Sequence, residues 1–144
     1  MNFFFDRCVP IALARMVAAL ETKLHHVVHH DNDERFHSKT TDVEWMQAIG
    51  GDQPKPIVIS GDGKILKRPD EVNTLREQRL TFFLLGEDFE EMPARVQAWK
   101  FLKSWESIVD ICEKKIREPS IYRVRAGTSQ KVEFERHTKE LPRK

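Results

Sequence analysis

The feature that most restricts the fold is a pair of short apolar runs that each lead into an aspartate. Asn2-Phe3-Phe4-Phe5 gives way to Asp6, and Ile57-Val58-Ile59 continues through Ser60-Gly61 to Asp62. Runs that are apolar at consecutive positions, rather than alternating, belong to strands covered on both faces, and such strands are found in parallel sheets flanked by helices. The intervening segments agree. Ile11, Leu13, Ala14, Val17, Ala18 and Leu20 recur at helical spacing after Pro10, a residue accepted at a first helical turn. Val27-Val28 marks a second short strand, followed by a polar loop from Asp31 to Thr40. Thr41 to Ile49 reads as a helix closed by Gly50-Gly51, because glycine enters the left-handed conformation that ends helices. Pro69 to Gln78 reads as a further helix, Leu80 to Leu85 as a strand ended by Gly86, and Glu91 to Arg117 as a long helix with one break. Ile121 to Arg125 and Val132 to Glu135 alternate apolar and polar residues around Ala126-Gly127-Thr128-Ser129, which predicts an exposed hairpin. Strands alternating with helices predict an α/β fold with a mostly parallel sheet and right-handed crossovers.

A chain of 144 residues is one domain by size, and 40% hydrophobic with 33% charged residues is the composition of an ordinary globular protein. Cys8 and Cys112 lie far apart without ligand spacing, so neither a zinc cage nor a disulfide framework is expected. Asp6, Arg7, Pro10 and Arg15 interrupt the apolar N-terminal stretch, which argues against a signal peptide, and no apolar run is long enough for a membrane span. A soluble, cytoplasmic protein is the expectation. The net charge of +1 conceals an asymmetry: Arg117 to Lys144 carries eight Lys/Arg against four Asp/Glu. Basic segments attract phosphate over long range, so residues 128–144 read as a basic tail appended to a domain spanning 1–127. A solvated tail without a partner is the competing reading.

The acidic residues carry the chemistry. Parallel strands end on one edge of their sheet, and ligands bind outside those carboxyl ends. Asp6 and Asp62 each stand just past such an end, within reach of a shared cation if their strands are neighbours about 5 Å apart. Asp42 opens a helix that leads back into a strand, which places it at the same edge. Three crowded carboxylates repel unless a hard, oxygen-preferring cation such as Mg²⁺ or Mn²⁺ neutralises them. Such a cation keeps several waters, leaving positions for a phosphate oxygen and a nucleophilic water. Each residue also has a structural role open to it: Asp6 as a helix cap, Asp42 at a helix dipole, Asp62 in a turn. Thr41-Asp42-Val43-Glu44 fits a capping box, so Glu44 is a cap partner first and an additional metal ligand second.

Phe3-Phe4-Phe5-Asp6 with Val9-Pro10 and its Ala/Leu-rich helix, Thr41-Asp42-Val43-Glu44-Trp45, and Val58-Ile59-Ser60-Gly61-Asp62 together resemble PIN-like nucleases, in particular their small VapC-like toxin branch. The resemblance runs from about Asn2 to Arg125. It implies a three-layer α/β/α fold with a mostly parallel central sheet, extended at the C terminus by a helix and hairpin. It also implies a divalent-metal-dependent endoribonuclease, the toxin of a toxin–antitoxin pair, with Asp6, Asp42 and Asp62 as catalytic metal ligands. RNA and a protein antitoxin are the implied partners, and a homodimer is compatible with it. Relatives carry one more acidic residue on a helix; Glu44, Asp31, Asp33 and Glu34 are the candidates here. They also tend to have a small polar residue after the first aspartate, where this chain has Arg7-Cys8, so Arg7 either binds the scissile phosphate or competes with the metal. Lys64 and Arg68, with Lys67, either hold the nucleic-acid backbone or form a solvated face.

Other constellations weigh less. Alternate residues of His25-His26-Val27-Val28-His29-His30 face opposite sides of a strand and leave no third ligand for a metal. Trp99, Phe101, Leu102 and Trp105 recur at helical spacing, which favours core packing over base stacking. A phosphatase with Asp6 as nucleophile lacks the second aspartate expected two residues on. A PIN-like module that binds RNA or protein without turnover is the principal alternative function.

Overall fold

Phe3, Phe4 and Phe5 are all buried because β1 (Asn2–Phe5) lies inside a sheet with helices on both faces. The computed structural model describes residues 1–21, 23, 25–61, 63–114, 119–126 and 132–134. Asp62, the tail cations Arg117, Lys131, Arg136, Lys139, Arg143 and Lys144, and the turn predicted at Gly127 to Ser129 lie outside the described residues.

After β1 come α1 (Ile11–Leu20), β2 (His26–His29), α2 (Asp42–Gly50), β3 (Ile57–Ser60), α3 (Pro69–Glu77) and β4 (Thr81–Leu85). A short α4 (Glu87–Glu90), the long α5 (Ala94–Lys114), β5 (Ser120–Val124) and β6 (Val132–Phe134) follow. The strands form one six-stranded sheet in the order β2-β1-β3-β4-β5-β6, parallel except for the antiparallel β5–β6 pair. Side chains alternate across it. Phe3, Phe5, Ile57, Ile59 and Phe83 pack under α1 and α5, whose Leu13, Val17, Phe101 and Trp105 complete that layer. Phe4, Val58, Phe82 and Leu84 pack under α2 and α3 with Trp45, Met46, Ile49 and Leu75. Each such side chain, once buried, contributes about 1.5–3 kcal/mol. The three-layer α/β/α arrangement expected from the sequence is therefore present.

The chain leaves β1 for β2 on one side and returns across β1 to place β3 on the other. The strand order thus reverses between β1 and β3, the kind of crevice where open α/β sheets bind ligands.

Three local expectations are corrected. Gly51 closes α2 with φ −90°, a right-handed value, and no glycine among the described residues has positive φ. Gly50 is required for a different reason: a Cβ there would stand 2.2 Å from Gln78 Oε1 and 2.8 Å from Gln78 Cβ, where α2 meets the end of α3. The C-terminal hairpin is not exposed on its first strand; Ser120, Ile121, Tyr122 and Val124 are buried because β5 pairs with β4 over its whole length. On α5, Phe101 and Trp105 are core residues as expected, whereas Trp99 and Leu102 face outward. The break expected within Glu91 to Arg117 is not seen among the described residues: α5 runs unbroken from Ala94 to Lys114, and Glu91 to Pro93 form the turn that separates it from α4. No helix among the described residues is long and apolar enough to cross a membrane.

Candidate active site

The carboxyl ends of β1 and β3 meet directly. Phe5 pairs with Ile59, and the Asp6 amide continues the ladder by donating to the Ile59 carbonyl at 2.9 Å. The Asp6 side chain is buried and engaged at both oxygens. Oδ1 accepts from the Cys8 amide at 2.8 Å, an Asx turn, and Oδ2 accepts from the hydroxyl of the fully buried Ser60. Donors from two strand ends thereby fix one carboxylate at the strand-order reversal. The turns that follow are in contact: a Cβ on Gly61 would lie 3.3 Å from the Cys8 carbonyl oxygen, a closeness that glycine permits. Asp6 is not the cap of α1, whose N-terminal boundary at Pro10 has no side-chain cap.

A second acidic group stands at the N-termini of α2 and α3. Both helices run back against the strand direction, so both begin at the carboxyl edge. Thr41 caps α2: its Oγ1 accepts from the Glu44 amide at 3.2 Å and donates to Glu44 Oε1 at 3.0 Å. Glu44 therefore returns to the Thr41 hydroxyl rather than to its backbone amide, half of a capping box. Asp42 Oδ1 accepts from Trp45 Nε1 at 2.9 Å, and its Oδ2 lies 3.7 Å from Arg68 Nη1. The same guanidinium lies 3.3 Å from both oxygens of Glu71.

Glu71 is the carboxylate that sequence reasoning missed. Its carboxyl is pushed up to about 7, first by burial and then by a hydrogen bond and charge repulsion from Asp42, with Arg68 opposing. Two carboxylates that face each other with one cation between them share a proton more readily than they both ionise. Asp70-Glu71 in the first turn of a helix begun by Pro69 was the available signal, and it reads equally as dipole compensation.

His29 holds the β1–α1 turn from the other side. The amide of Asp31 donates to its Nδ1 at 3.1 Å, so Nε2 carries the proton and donates to the Val9 carbonyl at 2.7 Å. Val9 lies in the turn that begins at Asp6, and the Val9 amide returns to the Asp6 carbonyl at 3.2 Å. His30 is also buried, stacked on Phe36 with 5.4 Å between ring centroids. Arg7 is exposed and donates from Nη1 to the Ser38 carbonyl, tying the polar loop to this turn. Lys64 is exposed in the 3-10 turn that follows β3, and Cys8 is exposed beside Asp6.

The fold thus brings Asp6 to Ser60 and Asp42 to Arg68 and Glu71 on one edge. Among the described residues no three His, Cys, Asp or Glu side chains stand close enough to hold one metal ion. Asp31, Asp33 and Glu34 do not join either group in the contacts seen: Asp31 meets His30 at 3.1 Å, and Asp33 pairs with Arg35 at 2.8 Å. A family model described as a PIN-like domain matches residues 1–87, which take in β1 to β4 and every residue of both groups. No curated protein and no solved structure matches the chain.

Proposed function

The chain belongs to the PIN-like domain family, and from that premise we propose that it is a divalent-metal-dependent ribonuclease whose centre is the carboxyl edge between β1 and β3. The observation that carries this reading is the Asp42–Glu71 pair. A partly buried carboxyl held up to about 7, first by burial and then by a second carboxylate beside it, is a position where a proton stands in for a missing positive charge. The donor set is all oxygen, which fits Mg²⁺ or Mn²⁺ and not a soft metal. Asp42 and Glu71 would offer the cation two neighbouring carboxylates, and Asp6 and Asp62, the latter from the sequence, would have to be drawn toward it from the ends of β1 and β3, since no three acids among the described residues stand around one point. When bound, such an ion offsets the charge of the phosphate and makes water a nucleophile near neutral pH.

The chain's own groups do the rest. Ser60 and the Cys8 amide keep the Asp6 carboxylate in one orientation, so no reorganisation is needed at the moment of reaction. Arg68 screens Asp42 and Glu71 from each other, and its guanidinium also suits a phosphate oxygen. Lys64, on the same edge, is a second cation for the nucleic-acid backbone, with Arg7 a third. Further to this reading, the protein is the toxin of a toxin–antitoxin pair, cytoplasmic and restrained by a protein antitoxin.

Incubating the purified chain with single-stranded RNA and Mn²⁺ or Mg²⁺ tests the proposal. Cleavage should vanish with chelator and fall at least 100-fold in Asp6→Asn and in Glu71→Gln. Chelator-resistant cleavage would remove the metal from the mechanism. RNA binding without cleavage would favour the alternative, a PIN-like binding module that has lost turnover. Growth arrest on induction, absent in Asp6→Asn, tests the toxin role.

A further inference from the structure

The outward face of α5 carries an exposed aromatic and an acidic pocket that the proposed chemistry does not use. Trp99 is 53% exposed and Leu102 39%. Lys103 Nζ lies 3.9 Å from the centroid of the Trp99 ring and Lys100 Nζ 5.3 Å, so the indole is ringed by positive charge. Arg95, one turn earlier, is on the same strip of the helix. Toward the C-terminal end the strip changes sign. Glu106, Asp110 and Glu113 line a pocket of about 230 Å³ together with Trp105, Val109, His25 and Glu21; Asp110 is paired with Lys114 at 2.6 Å, so Glu106 and Glu113 carry most of the acidic character. The pocket wall is built: Trp105 Nε1 donates to Glu21 Oε1 at 3.1 Å.

One face, half cationic around a protruding indole and half anionic around a hollow, is complementary to itself when turned end for end. We propose that two copies of this chain associate through antiparallel α5 helices, with each Trp99 seated in the acidic pocket of the other.

The register supports this. Trp99 and the middle of the pocket, Val109 and Asp110, are separated by about 16 Å of helix at 1.5 Å per residue. A two-fold axis passing near Ser104 lays Trp99 over the partner's Val109 and Asp110. The same axis sets Lys103 opposite the partner's Glu106, and Arg95 opposite the partner's Glu113. A single placement satisfies the aromatic and both charge pairs, as an isologous interface requires. Lys100 and Lys103 travel with the indole and meet carboxylates at the pocket. RNA is the poorer occupant, because the acidic half of the strip repels phosphate. Tryptophan in a pocket surrounded by charge pairs is also the usual composition of an interface hot spot. α5 lies beyond the residues matched by the family, so the interface is a feature of this chain's own C-terminal region.

Sedimentation equilibrium of the full chain in the tens of micromolar, with circular dichroism to confirm folding, tests the interface. The wild type should be dimeric, and Trp99→Ala should weaken association by about 30-fold or more. Lys103→Glu and Glu106→Lys should each be monomeric alone, since each places like charges across the axis. Mixed in equal amounts they should form a heterodimer, because both cross-axis pairs are then of opposite sign. A monomeric wild type, or charge variants that dimerise as the wild type does, would overturn the proposal. So would a monomer in which Trp99→Ala lowers affinity for RNA instead, which would make the strip a base-stacking surface.

Discussion

Replacing Glu71 with Gln isolates the electrostatics of the proposed site from its catalysis. In the folded protein the Glu71 carboxyl is held up to about 7, against an ordinary 4.5, by burial first and by Asp42 second. A carboxyl with a raised folded-state pKa favours folding while it is protonated. Its contribution is complete below about pH 4.5 and is lost as pH rises through 7. With complete shielding from water, a displacement of that size corresponds to about 3.4 kcal/mol. The side chain keeps 13% of its surface open and Arg68 beside it keeps 44%, so solvent screening reduces the expected effect to roughly 1–2 kcal/mol. Glutamine stays neutral at every pH and can still hydrogen-bond Asp42. In chelator, Glu71→Gln should therefore equal the wild type near pH 5 and exceed its stability by that amount at pH 8. Urea unfolding midpoints at half-unit pH intervals measure the gap, with other titrating groups cancelling between the two proteins. In an Asp42→Asn background the gap should shrink, because the second cause is gone. A gap that stays constant between pH 5 and pH 8, or that favours the wild type at the alkaline end, would refute the carboxylate pairing.

His29→Phe fills similar space but leaves the Val9 carbonyl and Asp31 amide without their ring partner, and should cost about 2 kcal/mol in urea unfolding. If the turn it holds positions Asp6, the RNA cleavage rate should fall with little change in KM, and His29→Gln, which can donate to Val9, should recover part of it; unchanged stability and rate would show the turn to be self-supporting. Gly50→Ala should destabilise by about 1–3 kcal/mol because the new methyl collides with Gln78. Gly51→Ala, with φ −90° and its nearest contact at 3.7 Å, should be neutral or stabilising by up to about 1 kcal/mol. Melting temperatures of the two alanine variants in the opposite order would put the close approach at the wrong glycine.

The residues that seal the site come from distant parts of the chain, and no local pattern marks them. Ser60 reaches Asp6 because β1 and β3 are neighbours. Glu71 reaches Asp42 because α2 and α3 lie side by side on one face of the sheet. The candidates Glu44, Asp31, Asp33 and Glu34 all precede β3, whereas Glu71 lies on a helix that follows β3 and begins at the same edge. His29 was one of four histidines in a run; the burial that makes it a brace for the Asp6 turn depends on β2 packing beside β1. The helical repeat of α5 identified an apolar stripe without fixing its width, so Trp99 and Trp105 looked alike until the packing with α1 covered one and left the other in solvent.

By itself the sequence determined the parallel sheet, the approximate span of most elements and the presence of Asp6 and Asp42 at one edge. Those features follow from interactions among residues close in the chain: consecutive apolar positions demand two covered faces, helical spacing demands one, and a threonine followed three residues later by glutamate caps a helix. Only the tertiary structure decided which side chains complete the site and which aromatic faces outward. Those outcomes depend on strand order and helix packing, through which groups far apart in the chain come within hydrogen-bonding reach or are left in water.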